Sequence, residues 1–272
     1  MSVRKMAGAW VPPVALTLFR RWSGRSLRFS GFPADWERAT QMSTGYDAVR
    51  ILEKVAAATR AVNAGEASFE RDSMLFDEPQ YSFPILAALL RAASLGADPL
   101  EVVDFGGSLG STYRQCKPFL DGVSLRWYVI EQTSFVDKGR DEFATDELKF
   151  FGSVSEVPQL GEHAVILAAS VLQYLEDPTA TMDELSELPA RHLIIDRTPL
   201  GNQEQHRLCI QYVPAQIYEA SYPCWILSKS RFLSRLSATW RLVAEYPCPE
   251  GHSSTDEGLP FEFRGLILER TA

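Results

Sequence analysis

Leu100-Glu101-Val102-Val103-Asp104-Phe105-Gly106-Gly107-Ser108-Leu109-Gly110-Ser111 is the stretch on which the reading of this chain turns. Its first half is a short run around Val102-Val103, apolar enough to be buried on both faces. Its second half holds three glycines, Gly106, Gly107 and Gly110, and helix-forming sequence resumes near Thr112. A strand, a glycine loop and a helix in that order make the opening unit of a parallel α/β sheet. Ligands of such sheets bind beyond the carboxyl ends of the strands, near the point where strand order reverses. Glycines there let the backbone approach a ligand closely and adopt positive φ. The dinucleotide pattern G-x-G-x-x-G fails in both registers. With the last two glycines at Gly107 and Gly110, Phe105 stands where the first should be. With the first at Gly106, Ser108 stands where the second should be.

Four more apolar runs follow, at 125–130, 148–151, 164–168 and 192–195, with helical stretches between them. Runs apolar on both faces with helical connections predict parallel strands covered on both sides. Two last strands are predicted at 240–246 and 261–269. The segment between them is rich in Pro, Gly, Ser and Asp, too polar for a crossover helix, so the two should pair antiparallel. The expected fold is α/β: a Rossmann-like, seven-stranded, mostly parallel sheet with a C-terminal antiparallel pair and an N-terminal helical extension. Residues 1–95 form that extension or lid, and 96–272 the sheet domain. Within the extension, Asp35 is placed to cap a helix from Trp36. Asp47 is placed to cap one through Val62, with Gly65 past its end. Residues 66–83 read as irregular, and Pro84 opens an apolar helix.

The chain has 272 residues, 46% of them hydrophobic and 23% charged, ample for a real core. Its net charge is −8, which argues against a general nucleic-acid surface. The four cysteines Cys116, Cys209, Cys224 and Cys248 form no zinc-like spacing with each other or with histidine. No metal is expected, and the cysteines read as reduced structural thiols of a cytoplasmic protein. The run 6–19 is apolar, flanked by Arg4, Lys5, Arg20 and Arg21, but short for a membrane span and broken by Pro12-Pro13. It suits peripheral contact at the inner membrane face or packing on the chain itself.

The loop carries the chemistry. An acidic residue leading a Gly-x-x-x-Gly turn suits a ligand without pyrophosphate but with ammonium and sulfonium charges, that is, S-adenosyl-L-methionine. Asp104 supplies the negative charge, and Gly106, Gly107, Ser108 and Gly110 line the approach. Glu131 ends the second strand, where a carboxylate accepts from ribose hydroxyls, with Gln132 beside it. Ser153 and Val154, after the third strand, border the adenine. Ala169 and Ser170, after the fourth, leave room for the methionine moiety. Gln173 and Tyr174 lie where an acceptor approaches.

These residues resemble the class I methyltransferases. More narrowly, they resemble a bacterial group found among surface-polysaccharide and lipopolysaccharide biosynthesis enzymes. The narrower likeness rests on Ser43-Thr44-Gly45-Tyr46-Asp47, on Val103 to Ser111, on Ser170-Val171-Leu172-Gln173-Tyr174-Leu175, and on Ala220-Ser221-Tyr222-Pro223-Cys224-Trp225. It implies O-methylation of a saccharide or glycan precursor. Most class I enzymes carry a glycine two residues after the first of the loop; here that place is Ser108. A methyltransferase for another small molecule, and a non-catalytic cofactor-binding module, are the alternatives.

Methyl transfer to a hydroxyl needs alignment and a general base. Asp196, just after Leu193-Ile194-Ile195, is the first candidate base. Arg197 beside it is placed to lower its pKa and hold an anionic group of the acceptor. His206 is the second candidate. Gln211, Tyr212, Tyr218, Tyr222 and Trp225 form a polar, aromatic insertion suited to stacking on sugar rings, and Arg71 and Asp72 are possible acceptor contacts.

Overall fold

The computed structural model describes residues 27–44, 48–71, 74–76, 81–214 and 220–271. The run 6–19, Asp47, Asp72, Tyr218 and the side chain of Arg71 lie outside that description. In chain order the elements are β1 (Arg28–Ser30), α1 (Trp36–Met42), α2 (Ala48–Asn63), β2 (Phe69–Arg71), β3 (Met74–Phe76), α3 (Phe83–Ser94), β4 (Leu100–Phe105), α4 (Ser111–Cys116), β5 (Leu125–Ile130), α5 (Thr133–Glu142), β6 (Leu148–Phe151), β7 (Val165–Ala169), α6 (Pro178–Ser186), β8 (His192–Gly201), β9 (Arg207–Val213), β10 (Ala220–Ser228), α7 (Lys229–Leu236), β11 (Trp240–Ser254) and β12 (Pro260–Arg270). The chain divides into two compact units. The larger comprises residues 47–207, 225–253 and 260–272; the smaller comprises 1–46, 208–224 and 254–259.

In the larger unit, strands β6, β5, β4, β7 and β8 lie side by side in that order, all parallel. The strands following β4 go to one side of it and β7 goes to the other. Strand order therefore reverses between β4 and β7, which puts a ligand cleft at their carboxyl ends. β12 runs antiparallel along β8, and β11 pairs with β12. Beyond the end of β7, the tail of β10 pairs parallel with β8 at Leu227↔Leu200. The burial of β4, β7 and β8 is almost unbroken, as a sheet covered on both faces requires. Trp127, Phe150, Ile166 and Trp240 are among its fully buried side chains.

Five expectations are corrected. The stretch 66–83 is not wholly irregular, since β2 and β3 form a short antiparallel hairpin there. β8 does not stop at Ile195 but continues through Thr198-Pro199 to Gly201. The segment after Tyr246 is not loop, because β11 extends to Ser254. The sheet strands thus outnumber the seven expected. The N-terminal region is not purely helical, since β1, β2 and β3 lie in it.

In the smaller unit, β1 pairs antiparallel with β9, matching Arg28 to Tyr212. The Arg28 guanidinium lies 4.4 Å from the Tyr212 ring centroid and 3.3 Å from the Asp256 carboxylate. Asp35 caps α1 as expected, accepting from the Arg38 amide at 2.8 Å. The aromatic insertion is therefore largely strand: it supplies β9 and β10. All four cysteines are buried thiols, none of them in a disulfide. No described helix is long and apolar enough to cross a membrane.

Candidate cofactor and acceptor site

Asp104 is the penultimate residue of β4, level with Val129 of β5 and Leu167 of β7. It is 1% exposed. Its Oδ2 accepts from the Trp127 indole N–H at 2.9 Å, and its Oδ1 has no partner. Burial pushes the carboxyl up to about 7. The indole hydrogen bond opposes that rise, Glu131 adds to it, and the Arg197 guanidinium pulls slightly down. A buried carboxylate with an unmatched oxygen, held where it must pay for desolvation, is a site that gains from a cationic ligand.

The glycines beside it have separate reasons. A Cβ on Gly107 would sit 2.5 Å from the Asp104 carboxyl carbon. A Cβ on Gly106 would sit 2.4 Å from Cγ2 of Val171, and Gly106 also has φ +72. The loops after β4 and β7 thus touch across the switch point, with glycine making the room. Gly107→Ala is expected to displace the Asp104 carboxylate and lower affinity for S-adenosylhomocysteine at least tenfold. Calorimetry checks it, and an unchanged affinity would mean that the loop does not face the ligand.

Ser108 stands where a glycine is usual, and its φ is +54. Holding a non-glycine residue there costs about 1–2 kcal/mol, so the surroundings must enforce it. They do so through Glu131, which accepts from the Ser108 amide at 3.1 Å and from the Gln132 amide at 2.9 Å. Burial raises the Glu131 carboxyl and these two amides lower it. Each oxygen keeps a lone pair for a hydroxyl donor. Gln132 is the exposed N-cap of α5, with no side-chain cap bond. Ser153 shares hydrogen bonds with Ser155 and Glu156, and Val154 packs on the sheet core.

Among the described residues, three other than glycine adopt positive φ: Ser108, Ser170 and Arg197. Ser108 and Ser170 follow β4 and β7, and Arg197 lies within β8 at the level where β7 ends; the three strands are adjacent and parallel. Backbone strain concentrated at one edge of a sheet is a mark of a functional site. Ala169 is buried, and the Ser170 amide donates to the Asp196 carbonyl. Gln173 is fully buried. Its amide donates to Ser170 Oγ and the Arg197 carbonyl, and its Oε1 is unpartnered. Tyr174 is half-buried in the same turn, and the Trp225 indole donates to the next carbonyl, that of Leu175, at 3.1 Å.

Asp196 was expected beyond the strand end. It lies inside β8, 3% exposed, level with Ala169. The register with β12 jumps between Arg264 and Leu266, so Asp196 and Arg197 together oppose Gly265. This is a β-bulge, a device that re-aims side chains next to sites. Gly265 is required because a Cβ there would lie 2.1 Å from the Tyr246 ring. That ring brings the Tyr246 hydroxyl within 2.8 Å of Asp196 Oδ1, and the Cys248 thiol faces the same oxygen at 3.6 Å. Burial and the Asp196 charge push the thiol up to about 12 and the phenol up as well. The Arg197 guanidinium lies 3.6 Å from the other oxygen. Tyr246, Cys248 and Gly265 carry no local signal in the sequence. They reach Asp196 only through the pairing of β8 with β12 and β12 with β11.

His206 is half-buried, and its Nδ1 accepts from the Ser228 amide at 2.9 Å. In the neutral ring the proton then sits on Nε2, so neither nitrogen is an open acceptor. Burial and Arg231 lower its pKa. Gln211 and Tyr222 belong to the smaller unit, where the Gln211 amide donates to the Tyr222 hydroxyl at 3.2 Å.

No family model matches the chain, and no curated protein matches it. Among solved structures, the chain is similar to magnesium protoporphyrin IX methyltransferase from Synechocystis PCC 6803. The two are 14% identical over 70% of this chain and 81% of that one, with a TM-score of 0.44. It is similar to an S-adenosylmethionine-dependent methyltransferase from Clostridium acetobutylicum ATCC 824, at 9% identity over 72% and 94%, with a TM-score of 0.45. A third likeness is to 1,6-didemethyltoxoflavin-N1-methyltransferase from Burkholderia thailandensis, at 16% identity over 84% and 92%, with a TM-score of 0.42.

Proposed function

We propose that this chain is an S-adenosylmethionine-dependent methyltransferase that O-methylates a saccharide or glycan precursor. The observation that carries the cofactor reading is Asp104, a buried carboxylate with one unmatched oxygen at the switch point of a parallel sheet. It is closed in by a glycine that leaves no room for a Cβ. When bound, the cofactor supplies an electrophilic methyl on a cationic sulfur. Asp104 complements the positive charge, and Glu131 accepts from the ribose hydroxyls while holding the loop amide of Ser108. Ser153 and Val154 border the adenine. Gln173, Tyr174 and Arg197 orient the acceptor, and burial at the strand ends keeps water from competing.

Of the two candidate bases, Asp196 fits the role better, since both His206 nitrogens are committed. A proton leaving the acceptor hydroxyl would pass to Asp196, whose other contacts, Tyr246 and Cys248, are donors that hold it in place. The saccharide class is supported by the resemblance of the Ser170 to Leu175 and Ala220 to Trp225 segments. Calorimetry with S-adenosylmethionine and S-adenosylhomocysteine tests the cofactor reading. Dissociation constants in the micromolar range are expected, and binding of neither sinks the proposal. A labelled-methyl assay against nucleotide sugars and lipid-linked saccharides tests the acceptor.

A further inference from the structure

We infer that Glu70, on the β2–β3 hairpin outside the parallel sheet, is a positioning residue for the cofactor loop. The inference rests on the cofactor reading above. Glu70 is a carboxylate only 3% exposed, on the three-residue strand β2. Burying an ionised carboxylate costs several kcal/mol unless charge-assisted hydrogen bonds offset it. Its Oε1 accepts from the hydroxyl of Ser111, the first residue of α4 and the neighbour of Gly110. Its charge also stabilises the Arg114 guanidinium, which burial pulls down.

Arg114 acts on the loop itself. Its Nη1 donates to the Leu109 carbonyl, and its Nε donates to Asn63 Oδ1 at 2.8 Å, at the end of α2. A Cβ on Gly110 would sit 3.0 Å from that same Nη1, so the guanidinium lies close over a glycine held at φ +89. The last two residues of the loop, Leu109 and Gly110, and its exit at Ser111 are therefore held from outside by one acid and one base. In its middle the loop is held by Glu131 through Ser108. Ser108 sits in a costly left-handed conformation that persists only while the neighbouring residues are held. Glu70 thus acts on cofactor affinity through Ser111 and Arg114, without being required to touch the ligand.

The test is calorimetric titration with S-adenosylhomocysteine of the full chain, of Glu70→Gln, Glu70→Ala and Ser111→Ala, and of the Glu70→Ala, Ser111→Ala pair. Melting temperatures of the ligand-free proteins are measured alongside. Glu70→Ala is expected to weaken binding about tenfold, Glu70→Gln less because it keeps an acceptor for Ser111, and the pair less than the product of the singles. A hairpin anchor with no role in positioning would lower the melting temperature but leave the dissociation constant, measured well below it, unchanged. That result, or independent effects in the pair, overturns the inference while leaving the cofactor reading intact. Should Glu70→Ala fail to fold, Glu70→Gln carries the comparison. A wild-type chain that does not bind S-adenosylhomocysteine overturns both.

Discussion

Asp104→Asn is expected to stabilise the ligand-free protein at pH 8 and to cost it the cofactor. The Asp104 carboxyl is raised from 3.8 in the unfolded chain to about 7, chiefly by burial. Between those values the native state holds a proton that the unfolded state has released. The contribution of this group is therefore most favourable below about pH 4 and is lost as pH rises through about 7. The full shift corresponds to stability on the order of a few kcal/mol. Asparagine keeps the shape and an acceptor for the Trp127 indole but never ionises. The variant should lose this group's share of the pH dependence of unfolding between about pH 4 and 7 and be the more stable protein above it. Its affinity for S-adenosylmethionine should fall about 10–100-fold, the loss expected for a charge-assisted contact. S-adenosylhomocysteine, lacking the sulfonium charge, should suffer less. In the wild type, the bound cation favours ionised Asp104, so affinity should rise between pH 6 and 8 with proton release. An Asn variant that binds S-adenosylmethionine as well as wild type refutes the assignment of Asp104.

Trp127→Ala is expected to be the most destabilising single change considered. Trp127 is completely buried in β5, edge-to-face with Tyr113 at 5.7 Å between centroids, and its indole N–H donates to Asp104. Truncation of a fully buried aromatic costs about 3–5 kcal/mol through lost burial and the cavity left behind. Asp104 then loses its donor, so its carboxyl should rise further above 7. Thermal unfolding should show a fall of roughly 10 °C. Trp127→Phe separates the two effects. It should recover much of the stability while leaving the Asp104 titration shifted upward, read as a higher midpoint in the pH dependence of cofactor binding. A Phe variant with an unshifted midpoint would show that the indole does not act on Asp104.

Much of this molecule was legible because its signals are local. The parallel strands β4, β5, β6 and β7 stand in the sequence almost residue for residue, since strands largely buried on both faces read as short, mostly apolar runs. The glycine loop was legible because close packing of backbone on Asp104 and Val171 excludes every side chain. Where the reading fell short, the pattern was mixed. β9 carries Gln211 and Tyr212 among its apolar residues, and β10 carries Pro223, which argues against a strand. β2 and β3 are three residues each, too short for any period to register. β8 runs on through Asp196, Arg197 and Pro199, whose polarity looks like a strand end. A bulge accommodates them instead, with Gly265 opposite.

The sequence by itself determined the class of fold and the loop that marks its ligand edge. Hydrophobic burial and the backbone freedom of glycine act on a residue whatever its distant neighbours are. Only the tertiary structure decided the partners of the charged groups. Trp127 reaches Asp104, Tyr246 reaches Asp196, Ser108 reaches Glu131 and Glu70 reaches Ser111 across gaps of 23 to 50 residues. A buried charge is governed by whichever donors strand register and hairpin placement bring within about 3 Å of it. No local pattern specifies that distance.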